Sequence, residues 1–231
     1  MNLERLRENL ERVRGRMADA CQRAGRSADD VSLVAVSKTV TADVARALVM
    51  LGVTDLGENR VQEAAHKQEF LAGLDVNWHL IGHLQTNKAK QAARMFDLVH
   101  SVDSARVAEA LGKRAAAAGG QMPILVQVNV SGEESKFGIA TTVAIAEVRR
   151  IGELPGIEVQ GLMTMAPFVN DPQTVRPHFA ALRRLAGQIA TLGMAGVTMK
   201  HLSMGMTQDY EVAIEEGATL VRIGTALFQG V

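Results

Sequence analysis

Eight short runs of apolar and β-branched residues, each followed by a longer stretch of helical periodicity, constrain this chain of 231 residues more than any other feature. They read as strands over 32–37, 54–57, 77–82, 97–102, 124–130, 158–165, 197–203 and 219–224. Between them, spacings such as Val175, Phe179, Leu182, Leu185, Ile189 and Leu192 keep one helical face apolar. Thr41, Thr86, Ser104 and Thr207 stand where N-caps are needed. Alternation of this kind calls for parallel strands joined by right-handed crossovers. Eight such units in roughly 200–250 residues are the size of a (β/α)8 TIM barrel. An open dinucleotide-binding sheet would need G-x-G-x-x-G after its first strand, and here that strand runs into Ser37-Lys38-Thr39. Neither a P-loop nor a Gly/Ser/Pro-rich linker is found, so a single barrel domain over residues 1–231 is expected. An extra N-terminal helix within residues 1–25 leads into it: Leu3, Leu6, Leu10, Val13 and Met17 recur at steps of three and four, and Gly25 suits its end.

Charge and cysteine content narrow the partners. Lys plus Arg is 25 and Asp plus Glu is 25, so no basic surplus exists to neutralise a phosphate backbone, and nucleic acid is not an expected partner. The one cysteine, Cys21, excludes an intramolecular disulfide, a thiolate zinc cage and an iron–sulfur cluster. The first seventeen residues mix both charge signs instead of forming a secretory signal, and no apolar run reaches the roughly 18 residues of a membrane span. A soluble cytoplasmic protein without a membrane partner is expected.

In such a barrel the chemistry lies where strands end, and phosphate is commonly held by the loops after the last two strands. Strand parity puts Val34, Val36 and Lys38 on the interior face. A poorly hydrated lysine at the mouth of an apolar barrel would have its ammonium form disfavoured, giving a neutral amine for Schiff-base chemistry; a strand-ending lysine in water is the plain alternative. The same parity turns Leu220, Arg222 and Gly224 inward. Arg222 then needs an acceptor, while Gly224, Thr225 and the helix start after them form a site for an anion such as phosphate. Ser203, followed by Gly205, is a further donor candidate. For each of these, a core ion pair or a turn residue remains the alternative. Asn59 points inward by parity and could bind an oxygen or cap a helix. Met163 and Met165 read as inward packing. His79 and His83 sit four apart but lack the glutamate of H-E-x-x-H, so no metal site is expected. His201 reads as a core histidine, and the glycine-flanked loop 131–138 could close over a site.

LVAVSKT (33–39), GENRVQE (57–63), WHLIGHLQTNK (78–88), VNVSGEESKFG (128–138), GLMTMAP (161–167), LSMGMTQDYEVAIEEG (202–217) and VRIGTALF (221–228) together resemble the pyridoxal phosphate homeostasis protein family. Its members are single barrels similar to the N-terminal domain of alanine racemases. The resemblance implies a fold type III protein for pyridoxal 5′-phosphate (PLP), with Lys38 in the position of the aldimine-forming lysine. It also implies Arg222 facing the pyridine nitrogen, Ser203, Gly224 and Thr225 at the phosphate, and Asn59 in contact with the cofactor. Leu80, Thr207 and Tyr210 stand where phenylalanine, serine and phenylalanine are commoner in the family, and Gln229 intervenes before Gly230; none of these touches the lysine–phosphate–arginine set.

The implied function is to hold PLP as a lysine aldimine in intracellular PLP homeostasis, with little or no turnover, and to supply apo PLP-dependent enzymes. An amino-acid racemase is the alternative. It needs acid and base groups on both faces of the substrate, and this chain has one tyrosine, Tyr210, and lacks the second domain that supports a partner tyrosine in alanine racemases. A sugar-phosphate aldolase using Lys38 would leave Arg222 unexplained. Without a second domain to complete a composite site, a monomer is expected.

Overall fold

A computed structural model describes residues 2–133 and 137–231. All eight expected strands are present, and they close into a barrel. They are β1 (Ser32–Val36), β2 (Asp55–Glu58), β3 (Asn77–Leu80), β4 (Leu98–Val102), β5 (Met122–Asn129), then, after a two-residue strand β6 (Ile139–Ala140), β7 (Ile157–Met163), β8 (Val197–Ser203) and β9 (Leu220–Ile223). Every pairing is parallel, and closure is completed by β4 against β5 and by β1 against β9. Among the described residues only β6 lies outside the ring; it pairs with β5 through Val128 and Ile139 and was not legible as a strand.

Side-chain alternation divides the apolar residues into two layers. Val34, Leu98, Leu125, Met163 and Leu220 pack together inside the barrel. Their outward-facing neighbours, including Ala35, Val99, Ile124, Leu162 and Val221, join the larger core beneath the helices. Those helices are α1 (Leu3–Arg23), α2 (Ala42–Met50), α3 (Val61–Phe70), α4 (Ala89–Met95), α5 (Ala105–Ala117), α6 (Ala144–Gly152), α7 (Arg176–Thr191), α8 (Tyr210–Glu215) and α9 (Thr225–Phe228). On α7 the apolar spacing is realised as buried Phe179, Leu182, Leu185 and Ile189, with Val175 buried at the N-cap, whereas Leu192 falls past the helix end and is exposed.

The lead-in helix α1 buries Leu6, Leu10, Val13 and Met17, leaves Leu3 exposed, and ends as expected with Gly25 in the left-handed region. It lies against α8 and α9. The buried Asn9 side chain donates to the carbonyls of Leu227 and Gln229 at 2.9 and 3.0 Å, tying the start of the chain to its end. Two N-cap expectations are corrected. Thr86 opens a 3-10 turn that precedes α4, and Asp209, not Thr207, occupies the N-cap of α8. The Thr207 hydroxyl instead accepts from the amide of Ala226 at 3.4 Å, which joins the loop after β8 to α9.

Gly161 marks a register shift between β7 and β8. A Cβ there would lie 1.9 Å from the carbonyl oxygen of His201, which is backbone and cannot turn aside. Gly161→Ala should therefore destabilise the protein by at least about 3 kcal/mol in urea unfolding. Gly187→Ala, at an exposed position of α7 with open space around it, should stabilise by about 0.5–1 kcal/mol.

Candidate functional site

Four neighbouring strands, in the order β2, β1, β9 and β8, carry all six expected site residues at or just beyond their C-terminal ends. Asn59 follows β2, Lys38 follows β1, Arg222 lies within β9 with Gly224 and Thr225 after it, and Ser203 closes β8. The barrel thus gathers at one mouth residues up to 187 positions apart, from Lys38 to Thr225.

Lys38 is exposed, in a turn two residues past the end of β1. The expectation that it crowns a dry core is corrected: the strand stops at Val36, so no barrel wall surrounds the amine. What holds the peptide before it is a buried polar node on the outer side of the barrel. Ser37 donates its hydroxyl to Glu58 Oε1 at 2.6 Å, and Lys67 of α3 donates to that same oxygen and to the Ser37 carbonyl, each at 2.6 Å. The second carboxylate oxygen, Glu58 Oε2, is buried without a hydrogen-bond partner among the described residues.

Arg222 enters the barrel as expected and is 4% exposed. Its guanidinium donates to Ser203 Oγ at 2.6 Å and to the Thr164 carbonyl at 2.9 Å. Burial pulls its pKa down to about 10, against the opposing attraction of Asp209. Burial in turn pushes the Asp209 carboxyl up, opposed by the amide of Met206 and by Arg222. Ser203 was expected at a phosphate; in the structure its hydroxyl is occupied by protein groups. Its side chain is completely buried, and its oxygen is engaged by Arg222 and, at 2.8 Å, by His100 Nδ1. It stands behind the arginine.

Gly224 and Thr225 begin the short α9 at the mouth, Thr225 exposed and Gly224 half-buried. A Cβ on Gly224 would come within 3.3 Å of both Cβ and O of Val36, so the glycine lets the turn lie against the end of β1 just before Lys38. Asn59 is half-buried and lines a cavity of about 490 Å³ with His83, Gln85 and Lys88, beside the mouth. Met163 is inside the barrel, but Met165, past the end of β7, is partly exposed.

His79 and His83 do not face each other. His79 turns into the barrel, with Nδ1 2.8 Å from His100 Nε2 and Nε2 2.9 Å from Asp55 Oδ1. His83 lies near Asp103 at 3.2 Å and stacks on Phe137 with ring centroids 4.3 Å apart. Among the described residues no group of three or more His, Cys, Asp or Glu side chains could hold a metal ion. His201 is half-buried with Nδ1 lacking a partner among the described residues, so it is not the hydrogen-bonded core histidine expected; burial, with His79 and Lys200, pulls its pKa down. The closing loop expected at 131–138 includes residues 134–136, which lie outside the described residues. Sequence reasoning missed Asp55 and His100 altogether: Asp55 opens a strand as an ordinary polar residue, and His100 is one histidine inside a buried run.

A parallel eight-stranded barrel with an amine at the end of its first strand and a buried arginine in its last defines a class. The chain belongs to the family described as alanine racemase, N-terminal domain, whose model matches residues 1–230. Within that class it is similar to the pyridoxal phosphate homeostasis protein of Aquifex aeolicus, 45% identical over 221 residues that cover 96% of each chain. That of Pseudomonas aeruginosa is 42% identical over 221 residues, 96% of this chain and 94% of the relative. The solved structure of PipY from Synechococcus elongatus with PLP bound superposes with a TM-score of 0.84 at 34% identity, covering 96% of this chain and 99% of PipY. The alanine racemase of Clostridium difficile shares the fold, with a TM-score of 0.78 at 15% identity over 99% of this chain and 57% of the racemase.

Two predictions follow from the buried groups. Lys67→Met leaves the Glu58 carboxylate uncompensated and should lose about 3–5 kcal/mol of stability, most of which the double variant Glu58→Gln/Lys67→Met restores in a double-mutant cycle. His100 is held well below its ordinary 6.5, first by burial and then by His79, Arg222 and His201. The unfolded chain accepts a proton there that the folded chain resists, so stability is present above about pH 6.5 and falls as the pH drops below it. The loss contributed by His100 is up to about 1.4 kcal/mol per pH unit. His100→Gln should flatten that slope in urea unfolding between pH 7.5 and 5.5.

Proposed function

We propose that this protein holds PLP at the C-terminal mouth of its barrel and takes part in maintaining the intracellular supply of the cofactor. One observation carries the reading: an exposed lysine amine, a buried guanidinium and a glycine–threonine turn converge on adjoining strands β1 and β9. The site fits the group on chemical grounds. Its side chains are an amine, a guanidinium and a hydroxyl, a donor set matched to an aldehyde, a ring nitrogen and a phosphate, and the turn at Gly224 keeps a backbone path open that a Cβ would crowd. The PLP in the PipY structure and the names of the relatives support it.

PLP, when bound, supplies an aldehyde that condenses with a primary amine, with loss of water. Lys38 is the amine, and Lys67 fixes the peptide that leads to it. Arg222 offers its cation to the pyridine nitrogen, which discourages protonation of the ring and weakens it as an electron sink. Gly224 and Thr225 take the phosphate, Asn59 contacts the cofactor from the next strand, and Ser203 keeps Arg222 in place. The arrangement favours holding over turnover. A racemase would need a second acid–base group across from Lys38, but the ring of Tyr210 is buried and faces Arg16 of α1, whose guanidinium lies 5.8 Å from its centroid. No described helix is long and apolar enough to cross a membrane. The same reading has the protein work in the cytoplasm as a single-domain monomer and pass PLP to apo-enzymes.

Incubation with PLP followed by borohydride reduction should add a PLP-sized mass to the peptide carrying Lys38. Lys38→Ala should lose both that increment and the yellow colour. A label on another lysine, or colour retained in Lys38→Ala, would overturn the assignment.

A further inference from the structure

We propose that Asp55, His79, His100 and Ser203 form a one-directional hydrogen-bond chain through the barrel interior that positions Arg222, so that these four are positioning residues for the PLP site. The inference rests on the reading of that site given above. Asp55 lies at the start of β2, His79 in β3, His100 in β4, Ser203 at the end of β8 and Arg222 in β9, so the chain climbs from the floor of the barrel to its mouth. Its links are 2.9 Å from Asp55 to His79, 2.8 Å from His79 to His100, 2.8 Å from His100 to Ser203 and 2.6 Å from Ser203 to Arg222.

Counting donors gives the direction. An arginine only donates and a carboxylate only accepts, so both ends of the chain are fixed. Arg222 takes one lone pair of Ser203 Oγ, and the Ser203 hydrogen is then directed at His100 Nδ1. His100 must carry its proton on Nε2 and give it to His79 Nδ1; His79 must carry its own on Nε2 and give it to Asp55. Every link then has one donor and one acceptor, with both imidazoles neutral. The opposite direction needs an extra proton on His79, because Asp55 can only accept. That would place a second cation in an interior where Arg222 is 4% exposed and His100 and Ser203 are completely buried. The remaining titratable groups nearby are His201 and, beside Arg222, Asp209.

The charged end is the wet end. The Asp55 side chain keeps 18% exposure, also accepts from Thr54 and Asn77, and borders a floor cavity of about 450 Å³ that Arg14 and Asp29 line. A carboxylate in reach of water thus orients, through three neutral side chains, a guanidinium that is not.

The test has two arms. In protein free of cofactor at pH 8, long-range ¹H–¹⁵N correlation of labelled histidines should find His79 and His100 both neutral with the proton on Nε2. A proton on Nδ1 of either ring, or a doubly protonated His79, overturns the proposal. In PLP-loaded protein, Asp55→Asn, which keeps the shape and removes the charge, and His100→Gln should each shift the absorption maximum of bound PLP. Each should also release PLP about tenfold faster. Asp19→Asn, on the exposed face of α1, should change neither. Normal loading with wild-type spectra in both chain variants refutes the positioning role. Failure of the wild-type protein to take up PLP refutes the function instead, and the histidine tautomers, read without cofactor or variant, still decide the chain.

Discussion

Burying a guanidinium is the constraint on which the rest of this structure depends. An arginine inside an apolar barrel loses its hydration, and it is stable there only if its donors meet acceptors. The barrel supplies them from the two strands on one side of β9: the hydroxyl that closes β8 and a carbonyl just past β7. Because Ser203 is itself fixed by His100, the arginine is held by groups that have no freedom to follow it elsewhere. The result is a rigid cation below the mouth, and the remaining features arrange themselves around it.

The mouth is organised from both sides of the barrel wall. Outside, Glu58 and Lys67 grip the Ser37 peptide and set where the chain leaves β1, although the lysine that follows is in water. Inside, the apolar cluster of Val34, Leu98, Leu125, Met163 and Leu220 fills the space that the polar chain leaves. Glycine at 224 lets the final turn lie against Val36, which brings its backbone close to the origin of Lys38. The N-terminal helix closes over α8 and α9 and secures them through Asn9 and through the Arg23 pairs with Glu211 and Glu215.

Much of this was legible from one-dimensional information. Eight strand runs, their order and the helical faces between them followed from periodicity, because alternation and a 3.6-residue repeat are local signals. The inward parity of Val34, Met163 and Arg222 followed from the pleat. Strand ends did not: β1 stops at Val36 and not at Ser37, and that short difference is why Lys38 is in solvent. Thr86 and Thr207 looked like caps because threonine competes well for that place, but the Thr207 oxygen is engaged across two loops by Ala226. His79 and His83 are four apart, and periodicity could not say where each ring goes; one points into the barrel and the other stacks on Phe137.

The sequence by itself therefore determined the number and order of the elements and the closed parallel architecture they demand, which depend on neighbours within a few residues; Lys38, Arg222 and the Gly224–Thr225 turn stood out as candidates by strand parity and by the family resemblance. The tertiary structure alone decided which groups Arg222 bonds, that the Ser203 hydroxyl is shared by Arg222 and His100, and that Asp55, His79 and His100 line up beneath. Those contacts join residues from 19 to 103 positions apart. They exist only because ring closure brings strands into register, and nothing local in the chain encodes a hydrogen bond between side chains that meet across a barrel.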